Sequence, residues 1–242
     1  GDYQGLEVLN FYKAYRALVR AKVSLFSMPS EASPVQRATT LRQYRNYANL
    51  AESYSTIPSR FLAITHGVSA VGKSHVSMRL VEALGAVRLR SDVERKRLFG
   101  EQQVENTLQA GIYAADASTA TYARLNDLAD TVLRAGFPVV LDATFLKREQ
   151  REAAAKVAEA TGAPFLILDC NAPQAVISSW LAQRQGDKND PSDATLAVIE
   201  AQQANRDPLT AEELLLSKRV ETNQSGTLDA VVAQIRQRLP GL

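Results

Sequence analysis

The chain has 242 residues, 45% of them hydrophobic, and its 28 Lys and Arg against 26 Asp and Glu leave a formal net charge of +2. It is long enough for one large domain, or a medium one plus a small one, and apolar enough for a real core, which excludes global disorder. Near-neutrality argues against a polybasic nucleic-acid binder but leaves room for a local basic groove. No apolar run approaches the ~18 residues of a membrane span, and no secretory leader pattern opens the chain. With Cys170 the only cysteine and His66 and His75 the only histidines, neither an internal disulfide nor a Cys/His zinc site is expected. The reducing cytoplasm is the expected compartment.

The first residue is Gly rather than Met, so a piece of a longer chain is expected. Leu6, Leu9, Tyr12, Leu18 and Phe26 recur at helical spacing and predict a helix over 5–26. Pro29 and Pro34 break it. A second helix is predicted over about 35–54, with Leu41, Tyr44, Tyr47, Leu50 and Tyr54 on successive turns. The pair reads as a helical hairpin, with a basic, tyrosine-rich nucleic-acid surface as the sharper alternative.

Residues 61–66 form a short apolar run that suits a buried strand. The next eight residues, Gly67, Val68, Ser69, Ala70, Val71, Gly72, Lys73 and Ser74, match G-x-x-x-x-G-K-[ST] in full. Val76, Leu80, Val81 and Leu84 then give a helical apolar face that stops at Gly85. Strand, glycine-bounded loop and helix is the context this motif needs. Loop N–H groups and the helix N-terminus would face phosphate oxygens, Lys73 would reach the β- and γ-phosphates, and the Ser74 hydroxyl would bind Mg²⁺. His75 closes the nucleotide-binding set, more as a helix-surface residue than a catalytic group. Val71 is β-branched and disfavours positive φ, so this loop is expected to bind nucleotide less tightly than a glycine-rich one. His66, at the strand end, reads as a packed or capped histidine.

Residues 86–92 predict a second strand, with Asp92 at its polar C-terminal end, the edge where ligands sit in open α/β sheets. Asp92 could accept the proton of an attacking hydroxyl, and Arg95, one turn on, could hold an anionic group. The plainer alternative is that Ser91 or Asp92 caps the following helix. A helical stretch over 107–135 leads to an apolar strand from Phe137 that closes on Asp142, the shape of a second nucleotide motif whose carboxylate serves Mg²⁺. Thr144 follows it. Arg148 and Arg151 open the next helix, where they oppose its dipole, so a phosphate-facing role is expected of Arg151.

A fourth strand is predicted over 164–171, with Cys170 a small core residue near its end, and a helix over about 173–185. The polar segment 185–193 reads as a lid, with Arg184 at one hinge and Lys188 inside, able to exclude water and bring positive charge to the γ-phosphate. Lys218 to Asn223 predict a last strand, the loop 223–226 an adenine border, and 228–239 a closing helix.

On these residues, 60–242 resemble the small P-loop kinases of the polynucleotide-kinase and zeta-toxin type: the loop 67–74, Ser91-Asp92 with Arg95, Asp142 with Thr144 and Arg151, and the Arg184 lid. They are more similar still to the C-terminal ATP-binding (AAA, kinase-like) domain of bacterial bifunctional aminoglycoside phosphotransferase/ATP-binding proteins, through 84–100, 141–146 and 190–194. The resemblance implies Asp92 as catalytic base, Lys73 as the phosphate lysine, and Ser74 and Asp142 as the magnesium shell; Arg184 is expected as a further catalytic cation, and Arg95, Thr144 and Arg151 toward the substrate. Residues 1–59 resemble the tail of that family's upstream phosphotransferase-like domain, whose catalytic part is absent from this sequence. Two departures are Ala70-Val71 in the loop and Trp180 where a further lid arginine is usual.

The expectation is therefore a three-layer α/β P-loop NTPase fold at 60–242, with a parallel sheet of about five strands, behind a helical segment at 1–59. The expected activity is ATP- and Mg²⁺-dependent phosphorylation of a hydroxyl on an unidentified acceptor, a small molecule or a 5′-hydroxyl nucleic acid. The alternative is a nucleotide-binding regulatory or ATPase module coupled to an upstream domain. No membrane partner is expected.

Overall fold

The computed structural model describes residues 1–54, 60–100, 111–184, 195–224 and 226–238, without the side chains of 111–115, 183 and 184. The chain divides into two compact units, Gly1–Pro58 and Ser59–Leu242.

The first unit is a pair of helices, α1 (Leu6–Phe26) and α2 (Pro34–Ser53), packed on each other. The start of α2 is written in the sequence. Pro34 sits in its first turn, the Ser33 hydroxyl accepts from the Gln36 N–H, and the Gln36 side chain accepts in return from the Ser33 N–H at 2.8 Å. The buried apolar side chains of this unit are the small Ala17, Ala21, Ala32 and Ala51, while Phe11, Phe26 and Val35 stand in solvent.

The second unit is built on five parallel strands in the order β2-β3-β1-β4-β5. In chain order its elements are β1 (Leu62–His66), α3 (Lys73–Leu84), β2 (Val87–Arg90), α4 (Ser91–Phe99), α5 (Gly111–Arg134), β3 (Val139–Asp142), α6 (Arg148–Thr161), β4 (Phe165–Asn171), α7 (Gln174–Arg184), α8 (Leu196–Ala204), α9 (Ala211–Leu216), β5 (Ser217–Glu221) and α10 (Thr227–Arg238). β1 and β3 are buried at every position, which is why both read as unbroken apolar runs.

Alternation along the strands makes the two faces. Ala63 of β1, Val140 of β3 and Leu166 and Leu168 of β4 join Val76 and Leu80 of α3 and Val231, Val232 and Ile235 of α10 in one core cluster. Their neighbours Leu62, Ile64 and Ile167 point the other way by the period of two, to the side where α5 and α6 pack. Helices on both faces give the three layers expected from the sequence.

The strand order also places the site. The chain leaves β1 toward β2 on one side and reaches β4 on the other, so the direction of winding reverses beside β1. In open α/β sheets the crevice at the C-terminal ends of such strands is where ligands bind.

Candidate functional site

The loop from Gly67 to Lys73 leaves β1 at that crevice and feeds directly into α3. Its entry is pinned by the Gly67 N–H donating to the Thr144 carbonyl at 3.1 Å. Glycine is required there, because a Cβ on Gly67 would lie 2.7 Å from the Cys170 carbonyl oxygen. Gly72 precedes α3 in the left-handed conformation, φ +89. The positive φ falls on Ala70, +62, and not on Val71, which is buried in the core cluster. The steric concern attached to Val71 therefore belongs to Ala70, where a methyl group is the smallest obstacle short of glycine.

Lys73 opens α3 and folds back over the loop, its Nζ donating to the Val68 carbonyl at 2.6 Å. Ser74 follows it in the first turn and His75 is exposed. The first-turn N–H groups of any helix have no partner within the helix, so this end of α3 presents donors and positive potential to an anion. Two side chains from outside the motif also hold the loop: Gln202 of α8 on Ser69 and Thr222, just after β5, on the Val71 carbonyl.

The carboxylates lie at the ends of the neighbouring strands, each tied to an arginine. Asp142 ends β3 with its side chain 5% exposed, and its Oδ2 accepts from the Ser77 hydroxyl at 3.0 Å and from Arg88 Nε and Nη2 at 3.0 and 2.5 Å. Asp92 lies in the first turn of α4, and its Oδ2 accepts from Arg90 at 2.6 Å. Neither Ser91 nor Asp92 is the N-cap of α4: that position is Arg90, and Asp92 Oδ1 accepts from the adjacent Val93 N–H.

The exit of β3 is fixed from three directions. Phe145 is buried with φ +45, a conformation that a bulky residue rarely takes. Its N–H donates to the Tyr122 hydroxyl, which also bonds the Thr144 hydroxyl at 3.1 Å. Its carbonyl accepts from His66 Nδ1 at 3.0 Å and from Arg151 Nη1 at 3.2 Å. His66 is thus the packed histidine expected, and burial holds its imidazole below the usual range against the opposing pull of the Phe145 carbonyl and Asp169. Tyr122 is also pushed up by burial, against its hydrogen bonds and the charge of Arg95.

Arg151 is the clear departure from expectation. It does not face the phosphate crevice but lies in the interior, its side chain 0% exposed. Its Nε and Nη2 fork onto both oxygens of Glu213 at 2.6 and 3.0 Å, and its other donors reach the carbonyls of Phe145, Leu146, Asp207 and Pro208. The dipole cost of cations at the start of α6 is offset by Asp207, whose carboxylate accepts from the Arg148 N–H at 2.9 Å. Of the lid residues, Arg184 ends α7 with its side chain outside the described residues, and Lys188 lies outside them altogether.

Lys73, Ser74, Asp142, Thr144, Asp92 and Arg95 therefore gather around the ends of β1, β3 and β2. Arg88, Ser77, Tyr122, Gln202, Thr222 and Glu213 are additions from the structure. Arg88 had a faint signal, a charge alternating within Val87 to Arg90; Glu213 had a better one, the Thr210-x-x-Glu213 spacing of a capping box, which does form. Cys170 is buried, and burial pushes its thiol up to about 12, which removes it as a nucleophile. Among the described residues no group of three or more His, Cys, Asp or Glu could hold a metal, and no helix is long and apolar enough to cross a membrane.

Comparisons with known proteins agree with this fold. An uncharacterized protein of Mycobacterium tuberculosis is 29% identical over 213 residues, 86% of this chain and 41% of its own length. That match exceeds the second unit, so it takes in part of the helical unit, and the chain spans about two fifths of the curated relatives it matches. Among solved structures, a gluconokinase from Sinorhizobium meliloti aligns with TM-score 0.54 at 18% identity, covering 75% of this chain and 96% of its own. The APS kinase of Mycobacterium tuberculosis, solved with AMPPNP and APS, aligns with TM-score 0.50 at 21% identity, covering 74% and 97%. The fold is that of P-loop kinases. Residues 62–209 match the family model described as AAA domain, more than half of the sequence, and the chain belongs to that family.

Proposed function

We propose that this chain is an ATP- and Mg²⁺-dependent phosphotransferase that moves the γ-phosphate to a hydroxyl group of an acceptor. The observation that supports the reading is that Asp92 and Arg95 follow β2 at the C-terminal edge of the same parallel sheet from which the loop to Lys73 and Ser74 leaves β1. The loop and the helix end bind the phosphates, Lys73 leaves Val68 for the β- and γ-phosphate oxygens, and Asp92 takes the proton of the acceptor hydroxyl. Arg95 and Thr144 face the acceptor, and Arg184 and Lys188 bring charge to the transferred group. Asn223 and Gln224 border the adenine.

The oxygen donors suit a hard cation: the Ser74 hydroxyl, with Asp142 acting through water or through the oxygen that Arg88 does not hold. A magnesium ion held there would supply charge neutralisation to the nucleotide phosphates. The relationship to polynucleotide kinases and zeta toxins, the upstream aminoglycoside-phosphotransferase-like domain and the cytoplasmic location belong to the same reading. A 5′-hydroxyl nucleic acid ranks slightly below a small-molecule acceptor because the net charge is only +2.

One observation favours a second reading. Both candidate carboxylates are held by arginines, Asp142 by Arg88 and Asp92 by Arg90. A nucleotide-binding switch or ATPase that reports to another domain would use such pairs as its resting state.

Transfer from γ-labelled ATP to a panel of 5′-hydroxyl DNA and RNA, nucleosides, nucleotide sugars and aminoglycosides separates the two. Label on one acceptor, lost in Asp92→Asn while ATP still binds, supports the kinase. Label only in free phosphate supports the second reading, and retained transfer in Asp92→Asn removes that residue as the base.

A further inference from the structure

The phosphate loop contains a non-glycine residue, Ala70, in the left-handed region, and its neighbours on either side are gripped by side chains far away in sequence. On the N-terminal side the Gln202 amide makes a reciprocal pair with Ser69: Oε1 accepts from the Ser69 N–H at 2.7 Å, and Nε2 donates to the Ser69 hydroxyl at 3.1 Å. On the C-terminal side the Thr222 hydroxyl donates to the Val71 carbonyl at 2.7 Å and shares its proton with the Asn171 carbonyl at 3.0 Å. Both supports are themselves anchored. Ile199 sets α8 into the core cluster, and the Thr222 N–H donates to the Asn171 carbonyl at the end of β4.

An alanine left to itself avoids positive φ, so the loop would relax out of the shape that turns its N–H groups toward an anion. A glycine at that position would need no such help. A neutral amide and a hydroxyl are also the right chemistry for supports beside a phosphate site, since each can grip the backbone without adding negative charge.

We propose that Gln202 and Thr222 are positioning residues that hold Ala70 in its left-handed conformation, so that nucleotide affinity depends on two side chains outside the phosphate-loop motif. The proposal rests on the reading that this loop binds nucleotide phosphates.

The test is calorimetric titration of the full chain with ATP and with ADP, in magnesium, for the native protein and for Gln202→Ala, Thr222→Val, Thr222→Ser, Ala70→Gly and the double variant Ala70→Gly/Gln202→Ala. The native protein binds both nucleotides. Gln202→Ala and Thr222→Val each weaken binding about threefold to tenfold, the scale of one or two lost hydrogen bonds, and Thr222→Ser restores it. In the double variant the Gln202 loss shrinks to under about twofold, because glycine takes the conformation unaided. That coupling discriminates against general destabilisation, which glycine at position 70 would not repair. An undiminished loss in the double variant, or native affinity in Gln202→Ala, overturns the proposal. A native protein that binds neither nucleotide overturns the phosphate-loop reading itself, and with it the clamp.

Discussion

Arg88 on the edge strand β2 and Asp142 at the end of β3 form a nearly dry pair, with Nε and Nη2 converging on one carboxylate oxygen. Their strands run parallel, with Arg88 opposite Val140 and Arg90 opposite Asp142, so the pair crosses the ladder diagonally. Asp142 is thereby both a candidate metal-shell carboxylate and one half of an ion pair. Removing Arg88 leaves a buried charge with Ser77 as its remaining donor. Arg88→Met should cost about 3 kcal/mol in urea unfolding, and Arg88→Met/Asp142→Leu should recover most of it, because a broken buried pair costs more than an absent one.

Arg151 and Glu213 tie α6 to the short helix α9. Breaking this fork should cost about 3–5 kcal/mol in Arg151→Met, whereas Arg148→Ala, at an exposed i,i+4 pair with Glu152, should leave the unfolding midpoint nearly unchanged. The pair also sets an acid limit. Burial raises the Glu213 pKa, but hydrogen bonds from Arg151 and Thr210 outweigh it and hold the carboxyl below its usual range. A depressed folded-state pKa contributes stability that is present above the unfolded-state value, about 4.3, and is lost as pH falls through the folded one. Unfolding free energy measured from pH 6 to pH 3 should fall less steeply in Glu213→Gln than in the native chain.

His66 gives a second pH dependence at a higher window. Its neutral ring carries the proton on Nδ1, the tautomer that can donate to the Phe145 carbonyl. Burial lowers its pKa in the folded chain. Below about 6.5 the unfolded chain takes up a proton that the folded one refuses, so stability declines as pH drops from that point toward the folded-state pKa. His66→Gln should flatten the decline in that window, and an unchanged profile would show that His66 does not cause it.

Gly67 and Gly85 both have positive φ but differ in their surroundings. A Cβ on Gly67 meets the Cys170 carbonyl at 2.7 Å, whereas one on Gly85 meets nothing within 4 Å. Gly85→Ala should cost only the left-handed penalty, about 1–2 kcal/mol. Gly67→Ala must displace the β4 backbone, so its loss in thermal unfolding should be clearly the larger, with weakened ATP binding.

Much of this protein is local and therefore legible in sequence. Short unbroken apolar runs flanked by glycine or proline suit buried parallel strands, so β1, β3 and β4 are legible in 61–66, 137–142 and 164–171. The loop 67–74 needs glycine at 67 and 72 for backbone reasons, and its position between strand and helix follows from the same few residues. The Ser33 to Gln36 capping box and the stop at Gly85 are equally local.

The rest depends on which distant residues meet, and a pattern along the chain carries no such information. Arg151 reads as a phosphate ligand only while its partners are unknown; the fold brings Glu213 and four carbonyls around it and consumes every donor. Ala70 reads as an imperfect glycine until Gln202 and Thr222 are seen on either side of it. Asp142 reads as an open carboxylate until strand pairing sets Arg88 beside it. The sequence determined the elements and the motif because steric preference and hydrophobic period act over a few residues. Only the tertiary structure decided the partners of each charge, because desolvation makes a buried guanidinium or carboxylate take whatever complement the folded chain supplies.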